Sequence, residues 1–324
     1  MTEWKDGIAK LTLPTPFSVG DVHAYLLKGD RLTLVDAGVK TKKAWEAFRM
    51  QLAELQLRPE DIEQVILTHH HPDHVGLLDF LPPELEIHAH PLNQRWLDRT
   101  PEFTAMHDEF FSGLFHQFGV PEEYFASAVG QMKKTLLFSC GPRRLSGELF
   151  ENDVPPALEG WKVIETPGHA QGHIALFREQ DGVLVGGDML LAKISPNPLL
   201  EPPLPGEKER PMPQLQYNES LHKLAKYPIS LVHAGHGPDF GQVGALIEKR
   251  LARQHDRAMT VKKLLKQGEL TVFELCRRLF PSVYEKEMSL TLSETVAQLD
   301  YLLDLDEIGV KEEDPAFLYS AAGR

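Results

Sequence analysis

The spacing of apolar residues changes along this chain, and each change marks an element. Residues 7–13 (GIAKLTL) alternate apolar and polar, the period of a strand. Residues 23–27 and 32–36 are apolar runs around the turn triplet Lys28-Gly29-Asp30 and predict a hairpin. Over residues 41–55 the period lengthens, and Trp45, Phe48, Leu52 and Leu55 share one helical face. The chain turns at 58–61, where Pro59 sits near a short helix start; residues 64–68 (QVILT) then read as a brief buried strand. A helix is expected to begin at residues 75–80, followed by a strand at 85–90 (LEIHAH). Further strands are predicted at 158–166, 173–178, 183–187 and 229–232, with a proline-rich irregular loop at 195–215 and a helix at 218–224. Strand alternating with helix predicts an α/β sandwich. A weak internal echo adds to this. Residues 24–38 (AYLLKGDRLTLVDAG) and 173–188 (HIALFREQDGVLVGGD) both run apolar strand, polar turn, apolar strand, then an Asp beside glycine, as a duplicated half-domain would.

Two segments depart from that alternation. Residues 91–141 crowd aromatics and methionines at helical period, among them Trp96, Phe103, Met106, Phe110, Phe111, Phe115 and Phe118. They read as a helical insertion, either plain core packing or an apolar lid over a site. After residue 241 the pattern is mostly helical: one or two helices over 243–267, one over 272–280 capped by Thr271 and ended by Pro281, and one over 294–305 behind a Ser293 cap. A short strand pair around Gly309 and Phe317 would complete a winged-helix-like shape. Residues 290–306 carry no Lys or Arg but do carry Glu294, Asp300, Asp304 and Asp306. A helix that reads DNA needs cations against phosphate, so no DNA partner is expected, and packing or a homodimer contact is the better reading.

Composition narrows the class. With 324 residues the natural division is two domains, here 1–240 and 241–324. The formal net charge of −13 opposes loose association with nucleic acid or anionic membrane. No apolar run approaches a membrane span, and the first residues, MTEWKDG, lack a basic-then-apolar signal pattern. The two cysteines, Cys140 and Cys276, lie far apart in apolar surroundings and read as buried thiols in a reducing compartment. A cytoplasmic location is expected.

The chemistry is concentrated in LTHHHPDHVG, residues 67–76, where His69, His70, His71, Asp73 and His74 fall within six positions. Neutral imidazole is the commonest protein ligand for transition metals, and such crowding is otherwise hard to explain. Three later elements also place His or Asp just after a predicted strand: TPGHAQGH with His169 and His173, GGDML with Asp188, and AGHGP with His236. Loops at strand ends, held by a rigid sheet, are where catalytic groups gather. Clustered imidazoles and carboxylates suit zinc, with iron or manganese admitted by the oxygen donors. His70 should face away from its neighbours and pack.

These motifs, in this order, resemble the metallo-β-lactamase fold superfamily over residues 7–240, with Tyr25 in HAYLL and Asp36 in LVDAG where that family has its early strand pair. The acidic helical tail resembles that of a subgroup related to beta-lactamase-like protein 2. The resemblance implies a four-layer αββα sandwich with a helical insertion and a small, mostly helical, winged-helix-like C-terminal domain. It implies two divalent ions: His69, His71 and His169 at the first, Asp73, His74 and His236 at the second, and Asp188 bridging. Asp73 would also orient the attacking hydroxide, and Asp36, His173 and His233 would stand behind the ligands or meet substrate. The function so implied is a binuclear hydrolase that turns a bridging hydroxide on an ester, thioester or lactone of a small molecule. An endoribonuclease or other phosphodiesterase acting on RNA is the alternative, with Lys133, Lys134, Arg143 and Arg144 the only dense basic cluster near the insertion. An iron-dependent redox enzyme is the alternative of another class. No Gly-x-Ser-x-Gly elbow offers a separate nucleophile.

Overall fold

The computed structural model describes residues 1–322; the last two positions of the predicted C-terminal domain, 323 and 324, lie outside them. Ten strands build two facing sheets. The first has six, β1 (Ile8–Leu13), β2 (Val22–Lys28), β3 (Leu32–Val35), β4 (Gln64–Ile66), β5 (Glu86–Ala89) and β6 (Gly147–Glu148), side by side in chain order. The second has β7 (Trp161–Glu165), β8 (Ile174–Arg178), β9 (Val183–Gly187) and β10 (Leu231–Ala234), in spatial order β10-β9-β8-β7.

Strand side chains alternate between faces, and here both faces are buried, so the strands read as continuous apolar runs. Along β2, Ala24 and Leu26 point to one core while Tyr25 and Leu27 point to another. Three cores result. One packs the first sheet against helix α1 (Lys42–Glu54), whose buried face is Ala44, Phe48 and Leu52 and whose N-terminus is capped by Thr41. A second fills the space between the sheets, with Val35, Ile66, Val163, Ile174 and Val185. A third packs the second sheet against α6 (Pro213–Leu224) and the start of α7 (Val243–Leu265) through Phe177, Leu184, Tyr217, Leu221 and Ile247. Helix, sheet, sheet, helix is the αββα sandwich the sequence predicts.

The echo between the two halves is also real in topology. β2 and β3 form an antiparallel hairpin and β4 lies parallel to β3; β8 and β9 form an antiparallel hairpin and β10 lies parallel to β9. The C-terminal ends of these parallel strands open on one edge of the molecule. There the sheets are stitched together by Ile174 N–H donating to Thr68 O (2.9 Å) and His23 N–H donating to Gly235 O (2.7 Å).

The insertion is helical: α3 (Gln94–Asp98), α4 (Pro101–Gln117) and α5 (Glu122–Leu136). α4 and α5 share a core with α7, α8 (Val272–Leu279) and α9 (Met288–Asp304), through Phe111, Leu114, Phe115 and Phe118 against Val261, Leu265, Phe273 and Leu299. A two-stranded sheet, β11 (Ile308–Glu313) and β12 (Ala316–Ala321), closes this module.

Several boundaries differ from the sequence reading. The helix expected to begin at 75 starts at Pro72 as α2 (Pro72–Val75) and tightens to a 3-10 turn over Gly76–Phe80. α6 starts at Pro213, not at 218, and α9 at Met288, not behind Ser293. Proline at the first turn needs no N–H partner there, which is why Pro72 and Pro213 open helices inside segments that read as loops. Ser293 is buried within α9, as are all residues from Thr291 to Asp300. α9 is thus a core helix, committed to packing within the chain. Cys140 and Cys276 are free and buried. Among the described residues no helix is long and apolar enough to cross a membrane.

Candidate metal centre

Five chain segments deliver side chains to the open edge of the sandwich. β3 ends in Asp36, β4 in Thr68 and the histidine run, β7 in the Thr166–His173 loop, β9 in Asp188, and β10 in His236. Pro72 turns the run into α2 at once, so that Asp73 and His74 fall on its first turn beside the N-cap His71.

Three sets of donor atoms come within 4.8 Å of one another: His69, His71 and His169; Asp73, His74 and His236; and His69, His74 and Asp188. The first two are the triads implied by the sequence. Asp188 stands between them. Its Oδ1 is 3.5 Å from His74 Nε2, and its Oδ2 is 3.6 Å from His169 Nε2 and 3.4 Å from His236 Nε2. His236 Nε2 is also 3.3 Å from Asp73 Oδ2.

The outer nitrogens of the rings are engaged. His74 Nδ1–H donates to Asp36 Oδ2 (2.8 Å), His169 Nδ1–H to Asn197 O (2.8 Å) and His236 Nδ1–H to Asp21 O (2.8 Å). Thr68 hydroxyl donates to Asp36 Oδ2 (2.7 Å) and its oxygen is left to accept from His69 Nδ1 (3.0 Å). A ring that gives its Nδ1 proton outward presents a bare lone pair on Nε2. His69 Nε2, His74 Nε2, His169 Nε2 and Asp188 Oδ1 are all buried with no hydrogen-bond partner. Orphaned polar atoms of this kind are rare in folded proteins and call for an explanation. Divalent cations would satisfy every one of them, so the residues present fit a metal centre.

Electrostatics divide the rings: His69 is held neutral, while, against burial, the carboxylates favour the charged form of His74 and His236. Burial, reinforced by neighbouring imidazoles, drives the pKa of His69 well below its ordinary value, leaving a neutral ligand. At His236 burial opposes charge, but the carboxylates of Asp188 and Asp73 prevail and lift it to about 10. Asp188 itself is held ionised against burial by His236 and His74. Two carboxylates and their cationic neighbours therefore already define a strongly polar pocket in a dry surround.

The remaining predicted residues sit one contact back. Asp36 binds Thr68 N–H (2.7 Å), the Thr68 hydroxyl and His74 at once. His173 donates through Nδ1 to Thr166 Oγ1 (2.7 Å) and accepts Asp188 N–H on Nε2 (3.1 Å), so it fixes the backbone that carries Asp188; burial brings it to about 3. His233 is not with the cluster: its Nδ1 meets Asp239 Oδ2 (2.9 Å), while Lys10 binds Asp239 Oδ1 (2.7 Å) and the Gly237 carbonyl (3.3 Å) in the His236 loop. His70 turns away and stacks on Trp96, centroids 4.4 Å apart and planes within 5°. Sequence reading missed Thr68, Asp239 and Asn197. Thr68 closes the strand directly before the histidine run and was the most visible of these; nothing in a proline-rich loop marks Asn197.

Glycine is required at two points. Gly187 has φ +49°, a left-handed conformation, and a Cβ there would sit 2.7 Å from His173 Nε2. At Gly235 a Cβ would fall 2.1 Å from Asp188 Oδ1. Gly235→Ala is therefore expected to displace the Asp188 carboxylate, costing about 1–3 kcal/mol of stability and lowering metal content; unchanged metal content by mass spectrometry would contradict the placement of Asp188.

Comparison with known proteins agrees with this geometry. Residues 18–236 match the family model described as the metallo-beta-lactamase superfamily. The chain is 43% identical over 297 residues to "Probable metallo-hydrolase YqjP" of Bacillus subtilis (strain 168), covering 92% of each chain. More distantly, it is 24% identical to a beta-lactamase-like protein 2 homolog of Caenorhabditis elegans over 79% of this chain and 69% of that one. Among solved structures it resembles the metallo-beta-lactamase family protein TTHA1429 from Thermus thermophilus, with TM-score 0.83, 31% identity, and 98% and 99% of the two chains covered. With the strand-end histidines, the buried aspartate between them and the family match over two thirds of its length, the chain belongs to the metallo-beta-lactamase superfamily.

Proposed function

We propose that this protein is a binuclear metal-dependent hydrolase acting on an ester, thioester or lactone of a small molecule. The carrying observation is the set of inward-facing, unpartnered donors of His69, His74, His169 and Asp188, split into two triads with Asp188 between them. His69, His71 and His169 would hold one cation, Asp73, His74 and His236 the other, and Asp188 both. Bound there, two divalent ions supply water ionisation near neutral pH and a Lewis-acidic charge for the carbonyl under attack. Zinc is the ion this donor set favours, with iron and manganese as competitors.

The chain's own residues do the rest. Asp73, at the first turn of α2, would accept a hydrogen bond from the attacking water on its carboxylate and so align it. Asp36 and His173 keep His74 and Asp188 from rotating, so the site is organised before substrate arrives. The apolar inter-sheet core behind these residues keeps out bulk water.

The surroundings support this substrate class. Trp96, stacked on His70, belongs to the insertion, and next to it Pro91, Leu92, Phe103 and Pro205, together with Gln94, Arg95, Asp98 and Thr100, line a cavity of about 260 Å³. That surface suits an acyl portion. Two of the four residues of the basic cluster that an RNA track would need are otherwise engaged: Arg143 donates to the carbonyls of Pro83 (3.0 Å) and Leu78, and Lys133 pairs with Asp108 (3.1 Å).

The test is a panel run on protein purified without chelator. Acyl thioesters and lactones should turn over, and phosphodiesters and RNA should not. RNA cleavage that falls steeply with added salt would replace this reading with the phosphodiesterase one. Oxygen consumption by an iron-loaded protein would point instead to redox chemistry.

A further inference from the structure

Residues 191–211 cross from Asp188 to α6 without helix or strand, and they touch both the metal centre and the C-terminal helices. On the inner side, Asn197 O accepts the Nδ1 proton of His169 (2.8 Å), and Glu201 Oε1 accepts the N–H of Gln171 (2.8 Å), two residues beyond His169 in the same loop. On the outer side the strap is gripped by polar groups of α7 and α9. Asn197 Nδ2 donates to Leu290 O (3.0 Å), and Leu200 N–H donates to Ser293 Oγ (3.3 Å). Arg250 donates to the carbonyls of Leu191 (2.6 Å) and Ile194, and Arg210 forms a two-pronged ion pair with the buried Asp300 (2.7 and 2.6 Å).

This pattern explains the otherwise odd composition of α9. Its buried face carries Ser293 and Asp300, which meet the strap, in a helix that could have been apolar throughout. Buried polar groups need specified partners, so such a face docks in one register only. Asn197 is where both sides meet: its peptide carbonyl sets the His169 ring while its side chain is held by α9.

We propose that the C-terminal helices serve as a brace for the metal centre, with Asn197 the positioning residue that carries their grip to His169. The proposal rests on His169 being a ligand. It assigns the C-terminal module a task inside the enzyme in place of nucleic-acid recognition.

The experiment compares wild type, Asn197→Ala, Ser293→Ala and a control, Ile308→Val, which thins the module's core without touching the strap. Zinc affinity is read by chelator competition, and ligand geometry by the visible absorption of the cobalt-substituted proteins. Asn197→Ala keeps the carbonyl but loses the tie to α9. It should weaken zinc binding by about 10–100-fold, as loss of support behind a ligand does elsewhere, and should alter the cobalt spectrum. Ser293→Ala should move both in the same direction by a smaller factor, and it decides the matter if Asn197→Ala does not fold. Ile308→Val should lower the thermal midpoint only. Wild-type affinity and spectrum in both strap variants would overturn the brace. A wild type that takes up no zinc would instead overturn the ligand reading beneath it.

Discussion

Asp188→Ala is expected to lower turnover by at least ~10²–10³-fold, the scale on which a single preorganised electrostatic group in an active site counts, and to leave the protein with fewer than two tightly held cations. The reason is positional. Asp188 lies within 3.6 Å of Nε2 atoms from both triads, His169 on one side and His74 and His236 on the other. Removing it takes away a donor from each ion and the negative charge that lets two cations lie close together. Asp188→Asn keeps the shape and loses the charge, so it should retain the fold and still lose the second ion. Metal content by mass spectrometry, with activity on the responsive member of the substrate panel, reads both. An Asp188→Ala protein with two ions and full activity would remove the central element of the proposed scheme.

The second large effect belongs to Asp36. This carboxylate is buried and accepts from Thr68 N–H, the Thr68 hydroxyl and His74 Nδ1–H. Asp36→Ala strands three donors, each at about 1–3 kcal/mol when left unpaired in the interior. The residue also sits at φ +61°, where alanine is less tolerant than aspartate. A loss of about 3–5 kcal/mol is expected, together with a freely turning His74 and weaker metal binding. Urea unfolding in the presence of chelator isolates the stability part, because metal loss then contributes nothing. A change of less than about 1 kcal/mol would show that Thr68 and His74 find other partners. Asp36→Asn should fall between, since its amide must present an N–H to one of the three donors.

Sequence pattern carried most of this architecture for a physical reason. Strands buried on both faces leave continuous apolar runs, and ligands at strand ends must follow those runs directly, so LVDAG, VILTHHHPDH, VGGD and VHAGH each show strand and ligand in one short string. The candidate donors were therefore legible from local text, while their division into triads came from the family resemblance. What text could not show was anything fixed by tertiary contact. Ser293 looks like a helix cap because serine is a common cap, yet it holds Leu200 from within α9. Asn197 acts through its backbone carbonyl, which every residue possesses and no side chain reveals. His233 lies three residues before His236, but the two point to different partners, Asp239 and Asp21 O. The aromatic insertion displayed its helices but not their destination, which is the core of the C-terminal helices.

The repeated hairpin-and-strand arrangement has a consequence for assembly. One repeat brings His69, His71, Asp73 and His74, and the other brings His169, Asp188 and His236. If these residues hold the ions as proposed, neither half alone owns a complete coordination sphere, and ion uptake should be coupled to the closing of one half upon the other. Loaded protein should then unfold as one unit, whereas ion-free protein has a natural cleavage plane along which its halves can part.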